Sequence, residues 1–136
     1  MEQKDFILRE IEKIGMIISA IRQKFFGEKQ DQSVPIEKQL VDLKEMLVCK
    51  ANFDLDKFMS LNIEGSNEYI SSFKGFSVEN IEYLADCISE ICCRDSDGGS
   101  KKYLEKTLEL YELCNLKSRT YSLEREMKIE TIKNTL

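Results

Sequence analysis

Ile7, Ile11, Ile14, Ile18 and Ile21, followed by Phe25, recur at spacings of 4, 3, 4, 3 and 4 residues. An α-helix turns once every 3.6 residues, so this series falls on one face. In a strand the same residues would alternate between both faces. The spacing therefore predicts a helix from about Asp5 to Phe26, capped by Asp5 and ended by Gly27 in the left-handed conformation. Leu8, Ile17 and Phe26 widen the stripe beyond what a lone surface helix carries. Gly15 in its middle lowers helix stability by ~1 kcal/mol, and close approach of another helix backbone is the expected compensation. The stripe reads as intramolecular core, with a homodimer seam as the alternative.

The same periodicity continues along the chain. Gly27 to Val34 is a polar loop, and Pro35 suits the first turn of a second helix, where its missing N–H is not needed. Ile36, Leu40, Leu43 and Leu47 form a second stripe to about Lys50. Asp54 reads as the cap of a short third helix that buries Phe58 and Leu61. From Ile63 to Phe76 the pattern is least regular, and Ser66 is expected to cap a helix holding Tyr69, Ile70 and Phe73, closed by Gly75. Ser77 caps a helix with Val78, Ile81, Leu84, Ala85, Ile88 and Ile91 on one face. The run Asp95-Ser96-Asp97-Gly98-Gly99 breaks it with turn chemistry. Ser100 opens the next helix, with Leu104, Leu108, Tyr111 and Cys114 inward. Asn115 to Thr120 reads as a connector. Ser122 caps a last helix with Glu124 near its positive end and Ile129, Ile132 and Leu136 along its apolar edge. No segment alternates as a strand does. Short connectors make neighbouring helices antiparallel.

The chain is 136 residues long with a net charge of −5, 42% hydrophobic and 33% charged, which describes one globular domain over 1–136. No apolar run nears the ~20 residues that cross a bilayer, and Glu2, Asp5, Glu10 and Glu12 are unlike a secretory leader. Cys49, Cys87, Cys92, Cys93 and Cys114 make an odd set with a vicinal pair. They read as reduced thiols in a cytoplasmic protein. Charge is uneven: residues 1–50 are balanced, 51–99 carry 3 basic and 10 acidic side chains, and 100–136 carry 8 and 6. An acidic middle repels phosphate backbones, so nucleic acid is not an expected partner, and neither is a membrane. Solvated helix faces are the plain reading of those acids and a docking surface the sharper one.

Helix starts near 78, 100 and 121 follow one another at 22 and 21 residues. The stretch Lys101-Lys102-Tyr103-Leu104-Glu105-Lys106-Thr107-Leu108-Glu109-Leu110-Tyr111, followed by a connector and another amphipathic helix, resembles tetratricopeptide-like hairpins. The opening Lys4-Asp5-Phe6-Ile7-Leu8-Arg9-Glu10-Ile11-Glu12-Lys13-Ile14-Gly15 resembles the start of a family of small, uncharacterised, helical bacterial proteins. The tetratricopeptide tryptophan, crossing glycine and closing proline are missing at matching positions. The resemblance implies a right-handed helical array with a partner-binding face and no activity to inherit.

The chain has no histidine, which removes the commonest general base and the commonest metal ligand. Cys87, Cys92 and Cys93 stand at spacings of 5 and 1, which structural zinc does not use. They read as small buried hydrophobes, with a redox role for Cys92 and Cys93 as the competitor. If Gly98 is the sixth residue of a calcium loop, Cys93 is the first and Leu104 the twelfth, and neither is a ligand. Phosphate loops and the dinucleotide fingerprint are absent. Glu10, Glu12 and Glu64 are acids available for catalysis, yet nothing marks a pair. Tyr69, Phe73 and Phe76 read as core before groove.

These observations predict an all-α, tetratricopeptide-like right-handed array of antiparallel helical hairpins, six or seven helices in all. They predict a non-enzymatic scaffold or adaptor module with no cofactor and no metal, binding another protein or peptide, or itself. The alternatives are a homodimer on the 7–25 stripe and a carboxylate-based enzyme.

Overall fold

The structure, a computed structural model, describes residues 2–26, 36–92, 101–119 and 122–136, without the side chains of 2–4, 25, 26 and 36. Among the described residues seven α-helices follow in order: α1 (Glu2–Phe26), α2 (Ile36–Ala51), α3 (Leu55–Ser60), α4 (Ile63–Ser71), α5 (Val78–Cys92), α6 (Lys101–Ser118) and α7 (Leu123–Thr135). No strand occurs among the described residues. The expected Gly27 end, the Pro35 start, the Asp95–Gly99 turn, the Ser100 start, Cys93 and the side chains of Phe25, Phe26 and Ile36 lie outside the described residues or side chains.

The helices form where the stripes stand. Ile14, Ile17, Ile18 and Ile21 of α1 are buried within the chain itself, beside Leu40, Leu43 and Leu47 of α2 and Ile81, Leu84, Ile88 and Ile91 of α5 in one core. Burying an isoleucine side chain stabilises the fold by about 1.5–3 kcal/mol. Ile7 and Ile11, towards the start of the stripe, are half-buried. Asp54 caps α3 by accepting from Lys57 N, and Ser122 caps α7 by accepting from Arg125 N. Ser77 accepts from Asn80 N at the start of α5.

Several expectations are corrected. α1 begins at Glu2, so Asp5 lies inside it, exposed, and is not its cap. α4 is capped by Asn62, which accepts from Gly65 N. Ser66 sits inside α4, fully buried, because its hydroxyl is engaged by α6 and the α3–α4 corner. Phe73 and Gly75 lie beyond that helix. α6 runs through Asn115 to Ser118 before Arg119 turns the backbone at φ 57°. Leu61 is half-buried, and Leu136 is exposed.

The close approach expected at Gly15 is made by a side chain. A Cβ there would stand 3.2 Å from Asn80 Oδ1. The backbone approach occurs at Gly75, where a Cβ would meet Ile14 Cγ1 at 2.5 Å and Glu10 O at 2.6 Å. Asn80, 3% exposed, fastens this corner. Its Nδ2 donates to Ile11 O at 2.8 Å and Gly75 O at 2.7 Å.

The contacts fix the helix directions. Asn80 reaches Ile11 and Glu90 reaches Arg22, so α1 and α5 are parallel. Tyr111 meets Asp86 and Cys114 meets Val78, so α6 runs antiparallel to α5. Arg125 meets Glu82, and Lys128 meets both Glu82 and Asp86, so α7 again parallels α5. α5 packs most extensively on α6 and next on α1, while α7 packs on α6 and reaches α5 through Arg125 and Lys128. Side chains of α1 and α7 flank the polar face of α5, which forms a floor between them.

Candidate functional site

The floor carries Glu82, Tyr83, Asp86, Ser89 and Glu90, at helical spacings of 3 and 4 that put them on one face. The opposite face of α5 is apolar core, so these positions can only be polar or amphipathic. Two adjoining cavities of about 590 and 450 Å³ open along this face and share Arg22 and Glu90. The first lies against α1, where Gly15 and Ser19 leave room beside Tyr83, which is 46% exposed. The second lies against α7, between Asp86, Lys128 and Thr131.

The charges of the groove are matched by bases from the walls. Arg22 of α1 forks onto Glu90, with Nε donating at 3.4 Å and Nη2 closer. On the other wall Arg125, 7% exposed, donates from Nε to Glu82 at 2.9 Å. Lys128 donates to Glu82 at 2.9 Å and to Asp86 at 3.2 Å. The Tyr111 hydroxyl donates to Asp86, and Lys128 lies 5.8 Å from the tyrosine ring centroid. Three acids of the acidic middle, Glu82, Asp86 and Glu90, are thus paired by bases of the helices that flank them.

Partial burial opposes ionisation of Glu82, yet its bonds to Lys128 and Arg125 prevail and hold its pKa below the usual value. Burial likewise opposes the charge on Lys128, and Glu82 and Asp86 hold its pKa above the usual value. Burial, then the bond to Asp86, pushes the Tyr111 phenol up. Burial pushes the thiols of Cys87 and Cys114 up to about 12. Each of these groups is displaced away from neutrality, opposite to what a general acid or base at neutral pH requires.

The residues singled out in the sequence are not gathered here. Glu12 and Glu64 are exposed on different helices, and Glu10 is half-buried on α1. Cys87, Cys92 and Cys114 are buried and Cys49 is exposed. Among the described residues no group of three or more carboxylates and thiols is arranged to hold a metal ion. Tyr69, Phe73 and Phe76 belong to an aromatic cluster around Phe53, whose ring centroid lies 5.2 Å from each of theirs.

Sequence reasoning missed the buried polar anchors. Lys106 is 7% exposed and donates to Leu61 O at 2.7 Å and to the Ser66 hydroxyl, with Glu109 at 3.0 Å. A lysine on a serine resembles a nucleophile and its base. Here Ser66 has no exposed surface, and its hydroxyl donates to Phe58 O at 3.2 Å and Leu61 O at 3.3 Å. The pair is an anchor that ties α6 to the α3–α4 corner. No signal local to residue 106 distinguishes it from the exposed Lys101 and Lys102 on the same helix.

No protein-family model, curated protein or solved structure matches the chain. Among the described residues no helix is long and apolar enough to cross a membrane.

Proposed function

We propose that this chain is a non-enzymatic protein-interaction module whose groove over α5 receives a peptide segment of another protein. The observation that carries this reading is the groove itself, floored by α5 and flanked by side chains of the parallel helices α1 and α7. Its geometry suits an extended or helical segment better than a small molecule. It is an open groove of two adjoining cavities, whereas small-molecule sites enclose most of their ligand. Tyr83 is the anchor, because an exposed tyrosine offers apolar area and a hydroxyl at little entropic loss. A partner's apolar side chain fits beside it over Gly15 and Ser19. The neighbouring charges are already paired, so the favoured segment is neutral where it meets Arg22 and Glu90.

The parallel run of α1, α5 and α7, with α6 returning between the last two, supports a tetratricopeptide-like right-handed array, in which such a groove is the concave side. The odd number of cysteines and the vicinal pair in the sequence support a cytoplasmic location. The homodimer seam on the α1 stripe is disfavoured because Ile14, Ile17, Ile18 and Ile21 are already covered by the chain.

The test uses Ser19→Arg, which fills the groove from an exposed position. Proteins retained from native lysate by the unaltered chain are identified, purified and titrated against both forms. Tenfold or greater weakening by Ser19→Arg and by Tyr83→Ala, with melting temperature unchanged, is expected. A partner that binds both variants as well as the unaltered chain would overturn the assignment.

A further inference from the structure

A second surface lies beside the groove. On α1, Arg9, Lys13 and Met16 follow one another at spacings of 4 and 3, which places them on one outward face. Met16 is 72% exposed, and Lys50 of α2 adjoins this face. On α7, Leu123 and Met127 stand four residues apart and are 64% and 63% exposed. They are bordered by Glu126 and Glu130. Arg9, Lys13, Lys50 and Glu130 form no ion pair among the described residues. One face is apolar with a basic border and the other apolar with an acidic border. Asp5 and Glu12 in the first and Lys133 beyond the second reduce that contrast without reversing it. Arg9 and Lys13 are separated by four residues, as are Glu126 and Glu130. Two helices side by side can thus match both pairs over about 6 Å. The two patches lie on different helices, one on α1 and α2 and the other on α7, where Thr131 borders both the patch and the second cavity of the groove.

We propose that the chain associates head to tail with further copies of itself, the outer face of α7 on one copy seating on the α1–α2 face of the next. Such a contact joins unlike patches, so it repeats and builds open chains of subunits where a two-fold dimer would stop at two. Desolvated methionine and leucine supply the attraction, and the charged borders set register and make assembly weaker at high salt.

The experiment is sedimentation of the purified full chain across concentration, with Met16→Asp and Met127→Asp as variants at exposed positions. The unaltered chain forms species larger than a dimer as concentration rises, and fewer of them in high salt. Each variant alone weakens association at least about tenfold, since a charge enters the apolar contact. Mixed one to one, the two variants form a dimer and nothing larger, because each supplies the intact face that the other lacks. Lys13→Glu and Glu130→Lys each weaken association without touching an apolar residue, their one-to-one mixture regrows open chains because the exchanged charges match again, and circular dichroism verifies that every variant is folded. An unaltered chain that stays monomeric up to about millimolar concentration overturns the proposal. So does a pair of variants in which only one substitution has an effect. Neither result bears on the groove, which all four substitutions leave intact.

Discussion

Replacing Asn80 by alanine removes the amide that ties α1 and the Gly75 turn to α5. Two hydrogen bonds are lost, at 2.8 Å to Ile11 O and 2.7 Å to Gly75 O. Each is worth about 1 kcal/mol net. Ile11 O lies inside a helix and can keep its helical bond, but the Gly75 carbonyl loses this buried partner, for about 1 kcal/mol more. The expected loss is about 3 kcal/mol, read as a fall of about 10 °C in melting temperature for a chain of this length. Asn80→Asp separates this account from simple packing. It preserves shape, yet at neutral pH it sets a buried carboxylate against two carbonyl oxygens with nothing to donate. That change costs more than the alanine, despite the smaller difference in volume. Protonation supplies one donor, so the introduced carboxyl has a raised folded pKa, and stability is regained on acidification. Urea unfolding followed by circular dichroism, for both variants at pH 7 and pH 5, measures all of this. An Asn80→Asp protein as stable as the unaltered chain at pH 7, or an alanine variant changed by less than about 0.5 kcal/mol, would refute the reasoning.

Gly75→Ala should destabilise the fold by several kcal/mol, because its Cβ would meet the Glu10 backbone oxygen at 2.6 Å; the same urea assay measures it. A thiol reagent should label exposed Cys49 quickly in the native protein and leave Cys87, Cys92 and Cys114 protected, with labelled sites read by mass spectrometry. Cys87 and Cys114 have pKa values raised from 9.0 to about 12, so the stability tied to their neutral form is full below pH 9 and lost as pH rises towards 12. The loss is up to ~1.4 kcal/mol per pH unit for each thiol, and the alkaline limb of a melting-temperature profile should be shallower in a Cys87→Ala, Cys114→Ala double variant. Glu82 is held below its ordinary 4.5, so its contribution is present above that value and lost as pH falls through the lower folded pKa. The acid limb of the same profile should flatten in Glu82→Gln.

What the sequence disclosed was local. The stripes on α1, α2, α5 and α7 repeat over several turns, and the caps at Asp54 and Ser122 act on amides three residues away. Ser66 and Asn62 illustrate where local reading stops. Both are good capping types four residues apart, and the choice was made by Lys106, forty residues distant, which engages the Ser66 hydroxyl. Asp5 failed as a cap for the same kind of reason, since a capping residue type permits a helix start without imposing one. The groove was not legible because its charge pairs join positions 68, 43 and 42 residues apart: Arg22 with Glu90, Arg125 with Glu82, and Lys128 with Asp86. Composition revealed the acids of α5 but not the bases that neutralise them.

The central claim is that the groove over α5 holds a protein segment, and cross-linking from within it tests this most directly. A photoreactive residue replacing exposed Ser19 or Gln23 looks into the groove, and one replacing exposed Glu105 on α6 does not line it. Irradiation in cells, followed by mass spectrometry, should give the same partner from positions 19 and 23 and nothing from 105. Adducts that are equally abundant from 105, or none from either groove position, would contradict the account.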